Sequence, residues 1–171
     1  KLIDNLPLFV NDTVFSDLYR FRVLYNDMKV LTLDGSFSYQ NGEKLKIDLM
    51  GEYNNYSSDI VGDLYQYAWH LPTYAFTLRG NYNLFEKIYL KADFVLKGGR
   101  MSPADLFDSD ATTAKSDLGI MADANLHAEY RYSKRLSAFI QFNNLAAQRY
   151  QKWYGYPVQG FQVLGGITFG F

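Results

Sequence analysis

The chain contains no cysteine, which excludes disulfides, thiolate nucleophiles and cysteine-based zinc sites. It has no run of about 18 apolar residues, so no segment reads as a membrane-crossing helix. That excludes helical spans only. A barrel strand alternates lipid-facing and lumen-facing residues, so its average hydropathy is unremarkable, as is the mean hydropathy of -0.22. The net charge of -1 lacks the basic footprint of a nucleic-acid binder. No glycine-rich phosphate loop occurs. Gly98-Gly99 and Gly165-Gly166 lie in or beside alternating segments, where glycine relieves crowding or permits curvature. The chain starts at Lys1 with no visible signal peptide, so the expectation is a mature product or a fragment of something longer.

Aromatic residues are abundant: 15 Tyr and 13 Phe in 171 residues. They fall in a pattern. The last twelve residues, Gly160 to Phe171, place Phe161, Val163, Gly165, Ile167, Phe169 and Phe171 on one face. Gln162, Leu164, Gly166, Thr168 and Gly170 lie on the other. A period of two is the signature of a strand. Seven more segments alternate in the same way: Leu18–Tyr25, Val30–Tyr39, Leu45–Tyr53, Tyr74–Tyr82, Ile88–Leu96, Leu118–Tyr132 and Leu136–Phe142. Asn41-Gly42 is a strong hairpin signal, and Asn26-Asp27 is read as another turn. The expected organisation is a leader or loop segment over 1–16 and an all-β domain over 17–171.

Alternation alone does not say which face is buried. A soluble lipocalin-like barrel would place the apolar face inside, and a membrane barrel would place it against lipid. Three details favour lipid. Tyr39, Tyr82, Tyr130, Tyr132 and Phe171 cluster at one end of the strands, and Tyr25, Tyr53, Tyr74 and Phe161 at the other. Amphipathic rings prefer the headgroup level. Strands of about 10 residues tilted near 40° cover roughly the 25 Å apolar band of such barrels. The opposite face mixes Arg20, Arg22, Lys46, Arg79, Lys91 and Arg131 with Asp34, Asp48, Glu52, Asp93, Asp123 and Glu129, which suits a polar lumen. Connections also alternate in length. Those at Asn41-Gly42, Leu84–Lys87 and Ser133-Lys134 are short. Those at 54–73, 98–117 and 147–159 are long, as for periplasmic turns and extracellular loops. The predicted fold is an antiparallel transmembrane β-barrel of about eight strands, complete or part of a larger barrel.

Catalysis finds little support. The two histidines, His70 and His127, have no evident serine or carboxylate partner at one rim. His127 alternates with Asn125 and Glu129, which predicts a lumenal hydrogen bond. Asp105, Asp108, Asp110 and Asp117 do not have calcium-loop spacing and read as a solvated acidic loop. No cofactor or metal is expected. Cations and aromatics in the long loops, Trp69, His70, Arg149, Lys152, Trp153, Tyr154 and Tyr156, are the candidate ligand-binding residues, because rings and cations stack on sugars or aromatic ligands. Packing within the loops is the competing reading.

The segments Glu129–Phe139, Asn143–Tyr150 and Trp153–Phe161, followed by the terminal strand, resemble the C-terminal barrel of TonB-dependent receptors, particularly Bacteroidota types. The resemblance covers about Tyr130 to Phe171. It implies an outer-membrane transporter that takes up a scarce nutrient. It also implies contact with outer-membrane lipid, with TonB through a plug that this chain lacks, and with a surface lipoprotein. Phe161, Val163, Ile167, Phe169 and Phe171 resemble the signal read by the barrel-assembly machinery, by strand addition to a free edge. Two further functions stay open at this stage: a self-contained small barrel with a structural, adhesive or partner-binding role, and a soluble binder with inverted faces.

Overall fold

The computed structural model describes residues 1–12, 20–60, 64–103 and 115–170. The strands are β1 (Leu2–Asp12), β2 (Arg20–Asn41), β3 (Leu45–Ser57), β4 (Tyr74–Leu84), β5 (Ile88–Gly98), β6 (Met101–Pro103), β7 (Lys115–Asp117), β8 (Met121–Arg131), β9 (Leu136–Asn143), β10 (Gln151–Trp153), β11 (Tyr156–Pro157) and β12 (Gln162–Phe169). Among the described residues, eight of them form one antiparallel sheet in the order β1-β2-β3-β4-β5-β8-β9-β12. Two small ladders, β6-β7 and β10-β11, belong to the long connections.

One register row runs across seven strands as Tyr39, Ile47, Gly80, Ala92, Leu126, Phe142 and Val163. The next row is Gln40, Lys46, Asn81, Lys91, His127, Gln141 and Leu164. Adjacent rows of opposite polarity fix the register, because a slip of one residue would exchange the faces. The apolar face is open: Leu33 is 74% exposed and Ile167 76%. On the polar face, Ser38, Asp48, Arg79, Asp93 and Asn125 form another row. Within it Ser38 Oγ donates to Asp48 at 2.6 Å and Arg79 pairs with Asp93 at 3.6 Å. Lys46 and Asp48 lie 3.2 Å apart. His127 stacks on Phe139 at 5.8 Å. A Cβ at Gly166 would meet the Phe139 ring at 2.8 Å, so the glycine makes room for that ring.

The beginning of the chain departs from expectation. Leu2–Asp12, expected as leader or loop, is a strand paired along the outer half of β2. Asn26-Asp27 is not a turn. It lies within the 22-residue β2, opposite a register shift between Ile3 and Leu6. Its polar groups serve that irregularity. Asp27 Oδ1 accepts from the Asn5 amide at 2.8 Å, where Asn5 has φ 54°. Asn26 Nδ2 donates to the Tyr65 carbonyl. Tyr25 therefore does not share a level with Tyr53, which pairs with Leu33. Eight residues of strand, about 26 Å, separate Tyr25 from Leu33. Leu118, expected to open a strand, precedes the observed start of β8 at Met121. Leu18, Tyr19, Asp105, Asp108, Asp110 and Phe171 lie outside the described residues.

The buried core is small and sits at one end. Leu8, Val10, Leu24, Met28 and Val30 pack against Trp69, with Tyr65, Tyr67, Leu71 and Met101 around them. Leu24, Met28 and Val30 are on the same face of β2 as Thr32 and Asp34. The long connections thus fold over the polar face at their rim, and the apolar face stays uncovered.

Candidate functional site

The described parts of three connections meet at the long-loop rim: 58–60 and 64–73 after β3, 99–103 and 115–120 between β5 and β8, and 144–161 between β9 and β12. The base of the last is fixed by Asn144, a buried residue at φ 52°. Asparagine tolerates this left-handed conformation better than most residues. Its Nδ2 donates to the carbonyls of Gln148 (2.9 Å) and Gln159 (3.0 Å), and its Oδ1 accepts from the Gln148 amide (3.2 Å). Its own amide donates to Asn125 Oδ1 at 3.0 Å. One side chain thereby ties both ends of the connection to β8.

Further out, Gln148 bridges to the start of β8, accepting from the Ala122 amide at 2.7 Å and donating to the Ile120 carbonyl at 2.9 Å. The Tyr150 hydroxyl donates to Asp123 Oδ2 at 3.0 Å. Burial, then the bond to Asp123, pushes the Tyr150 hydroxyl up to about 12, so it stays protonated and keeps donating. The Gln151 carbonyl accepts from Arg100 Nη1 at 2.9 Å. Arg100 is 3% exposed. Its direction follows from Gly99, at φ +64°, where a Cβ would meet Thr73 Cβ at 2.6 Å. Thr73 Oγ1 donates to the Gly99 carbonyl at 2.9 Å.

His70 joins the three connections. Its amide donates to the Met101 carbonyl at 2.8 Å. Its Nε2 accepts from the Tyr154 amide at 3.4 Å, and its ring lies 5.1 Å from that of Trp153. Trp153 also meets Phe9 of β1 edge-on at 5.3 Å. Burial pushes the His70 imidazole down to about 4, the Phe9 backbone opposing this and nearby Arg100 adding to it. The ring is neutral at neutral pH and acts as an acceptor.

Of the residues expected to bind ligand, the structure brings His70, Trp153 and Tyr154 together. Trp69, 3% exposed, is part of the hydrophobic core. Arg149, Lys152 and Tyr156 are exposed on the same connection. Arg100, Asp123 and Tyr150 belong to the junction but were not among the expected residues. In the sequence Arg100 falls in the long connection 98–117 without a distinguishing pattern, and Asp123 is one lumenal charge among several. Phe161, Val163, Ile167 and Phe169 line the apolar face at the β12 edge; Phe161 stacks on Phe142 at 6.2 Å.

The fold has close counterparts among solved structures. The ferric-catecholate import receptor Fiu of E. coli K12 superposes with a TM-score of 0.69 at 17% identity, over 99% of this chain and 24% of that one. The pyoverdine receptor FpvA of P. aeruginosa gives 0.72 at 14%, over 99% and 24%. The copper transporter OprC gives 0.63 at 12%, over 99% and 27%. The chain spans about a quarter of the length of these proteins. Its fold is that of the barrel portion of TonB-dependent receptors. No family profile matches the sequence, and no curated protein matches it.

Proposed function

We propose that these residues form part of the barrel wall of a TonB-dependent receptor in a Gram-negative outer membrane. The receptor imports a nutrient ligand and is not an enzyme. The observation that carries this is the sidedness of the sheet. Its apolar face is exposed across seven strands, while the long connections cover the polar face at one rim. In water such a face is an aggregation surface; in a bilayer it is the lipid contact.

The long-loop rim is then extracellular, and its junction of rings and cations is where ligand is first held. A sheet cannot present open edges to hydrocarbon. Among the described residues, β12 pairs on one side only, and Leu31–Asn41 of β2 pair only with β3. These edges pair with each other or with strands of a longer polypeptide. The partial length match to whole receptors favours the second. The remaining partners follow from the same reading: the barrel-assembly machinery through the β12 edge, TonB through a plug elsewhere in the protein, and a surface lipoprotein over the loops. Assignment to a Bacteroidota type rests on the sequence motifs over about Tyr130 to Phe171 alone.

The test is the native polypeptide in detergent-extracted outer membranes. A membrane protein several times larger than 19.7 kDa, whose deletion abolishes uptake of one nutrient, is expected. A native mass near 19.7 kDa, or recovery in the soluble fraction, would overturn the reading.

A further inference from the structure

Arg100 is buried, and among the described residues two of its three guanidinium nitrogens have no acceptor. Nη1 donates to the Gln151 carbonyl at 2.9 Å. Nε and Nη2 are buried with no hydrogen-bond partner, and among the described residues Arg100 makes no ion pair. Asp117, near Arg100, and Asp123 each hold a bond elsewhere. Asp117 Oδ1 accepts from the Gly119 amide at 2.8 Å, and Asp123 Oδ2 accepts from Tyr150. Asp123 Oδ1 is itself buried and without a partner.

A guanidinium cannot shed its proton to escape burial, as a lysine or histidine can. A buried charge without acceptors is among the most costly groups in a folded protein. Nε and Nη2 together form the side-on fork that matches two oxygens of a carboxylate or phosphate. The fork is also held in place. Gly99 and Thr73 fix the backbone before it, the Arg100 carbonyl accepts from the Leu118 amide at 3.0 Å, and Gln151 holds the third nitrogen. A side chain anchored at one nitrogen keeps its unsatisfied fork in a fixed direction.

We infer that Arg100 is an anion-binding residue, whose Nε–Nη2 fork receives two oxygens of a carboxylate or phosphate group on the ligand. Tyr150 lies beside the guanidinium. The inference rests on the uptake reading only for the claim that the bound anion belongs to the imported nutrient.

The test is a titration of the detergent-solubilised native protein with sodium phosphate and, separately, sodium acetate. Each is compared with sodium chloride at equal ionic strength and followed by tryptophan emission. Both tryptophans of this chain, Trp69 and Trp153, lie at the loop junction. A saturable response to phosphate alone identifies a phosphate-type ligand, and a response to acetate a carboxylate-type one. R100Q and R100K should each weaken the response by about 30-fold or more, the scale for losing one partner of a buried charge pair. No saturable response to either anion overturns the inference, as does a wild-type response in both variants. If neither variant assembles, the wild-type protein is solved in phosphate or acetate. Density against Nε and Nη2 supports the site, and density only elsewhere overturns it. Failure of the uptake reading is read separately in cells. A protein that binds these anions but imports nothing leaves Arg100's role standing and removes the transport function.

Discussion

The Trp153 ring sits 5.1 Å from the ring of His70, although 83 positions separate them in the chain. With the bond from the Tyr154 amide to His70 Nε2, this contact ties the last long connection to the first. It depends on a neutral imidazole, because a protonated ring cannot accept at Nε2.

The junction should therefore loosen in acid. The folded-state value of His70 lies near 4, below its ordinary 6.5, so the unfolded or opened state binds more protons in between. The stabilisation is complete above about 6.5 and is lost as pH falls toward 4. The protection of the Tyr154 amide against hydrogen exchange, taken relative to the intrinsic rate at each pH, should fall over that window, and in His70→Gln that fall should vanish. An exchange rate that follows only the intrinsic pH dependence would rule this out.

Asn144 carries the base of the same connection. Asn144→Gly keeps the φ 52° conformation accessible and removes the amide, leaving the part-buried carbonyls of Gln148 and Gln159 without this donor. A loss of about 1–3 kcal/mol is expected, with Asn144→Ala worse by about 1 kcal/mol for the left-handed backbone. Protease cleavage of intact cells within 145–160 should increase in that order. Equal resistance in all three proteins would mean that Asn144 does not hold the loop.

The faces of the sheet give the sharpest test of membrane insertion. Leu78 and Thr77 are neighbours on β4 and point oppositely, Leu78 within the row Phe37, Leu49, Leu78, Phe94 and Ala124. Leu78→Arg places a charge toward lipid and should cost about 2–4 kcal/mol, visible as lost heat-modifiable barrel on gels. Thr77→Arg faces the charged side and should assemble normally. The opposite ranking would mean that the apolar face is the interior of a soluble barrel.

The β4–β5 turn is built from unfavourable residues. Phe85 and Glu86 have φ 53° and 59°, the paired left-handed conformation that Asn-Gly fits best, and the Lys87 amide donates to the Leu84 carbonyl at 3.1 Å. Phe85 is 84% exposed, so its replacement gives up little packing. Phe85→Asn with Glu86→Gly should stabilise the hairpin by about 1–2 kcal/mol, raising the temperature at which the barrel unfolds on gels. An unchanged or lower unfolding temperature would show that the turn is not strained or that Phe85 has a role of its own.

Strand β1 shows where sequence pattern ceases to be informative. The register shift between Ile3 and Leu6 breaks the period-two parity midway, and Pro7 weakens any strand reading. The same shift is why Asn26-Asp27 looks like a turn: its polar groups serve a bulge in the neighbouring strand. By contrast Tyr74–Tyr82 is legible because each of these residues is paired on both sides without a shift, so alternation survives along the segment.

What the sequence determined by itself is what depends on neighbouring residues along one strand: period-two alternation, the short turns and long connections, and the absence of cysteine chemistry and helical spans. Tertiary structure alone decided which loop residues meet. Trp69 and Arg149 look equally suited to a ligand in the sequence. Folding the connection over the polar face buries Trp69 against Leu8, Val10 and Met28 and leaves Arg149 exposed. Arg100 gains significance only because Gln151, 51 residues later, bonds one of its nitrogens and leaves the fork unpaired. Strand periodicity is a local property of the backbone, whereas burial and hydrogen-bond satisfaction are set by contacts distant in sequence.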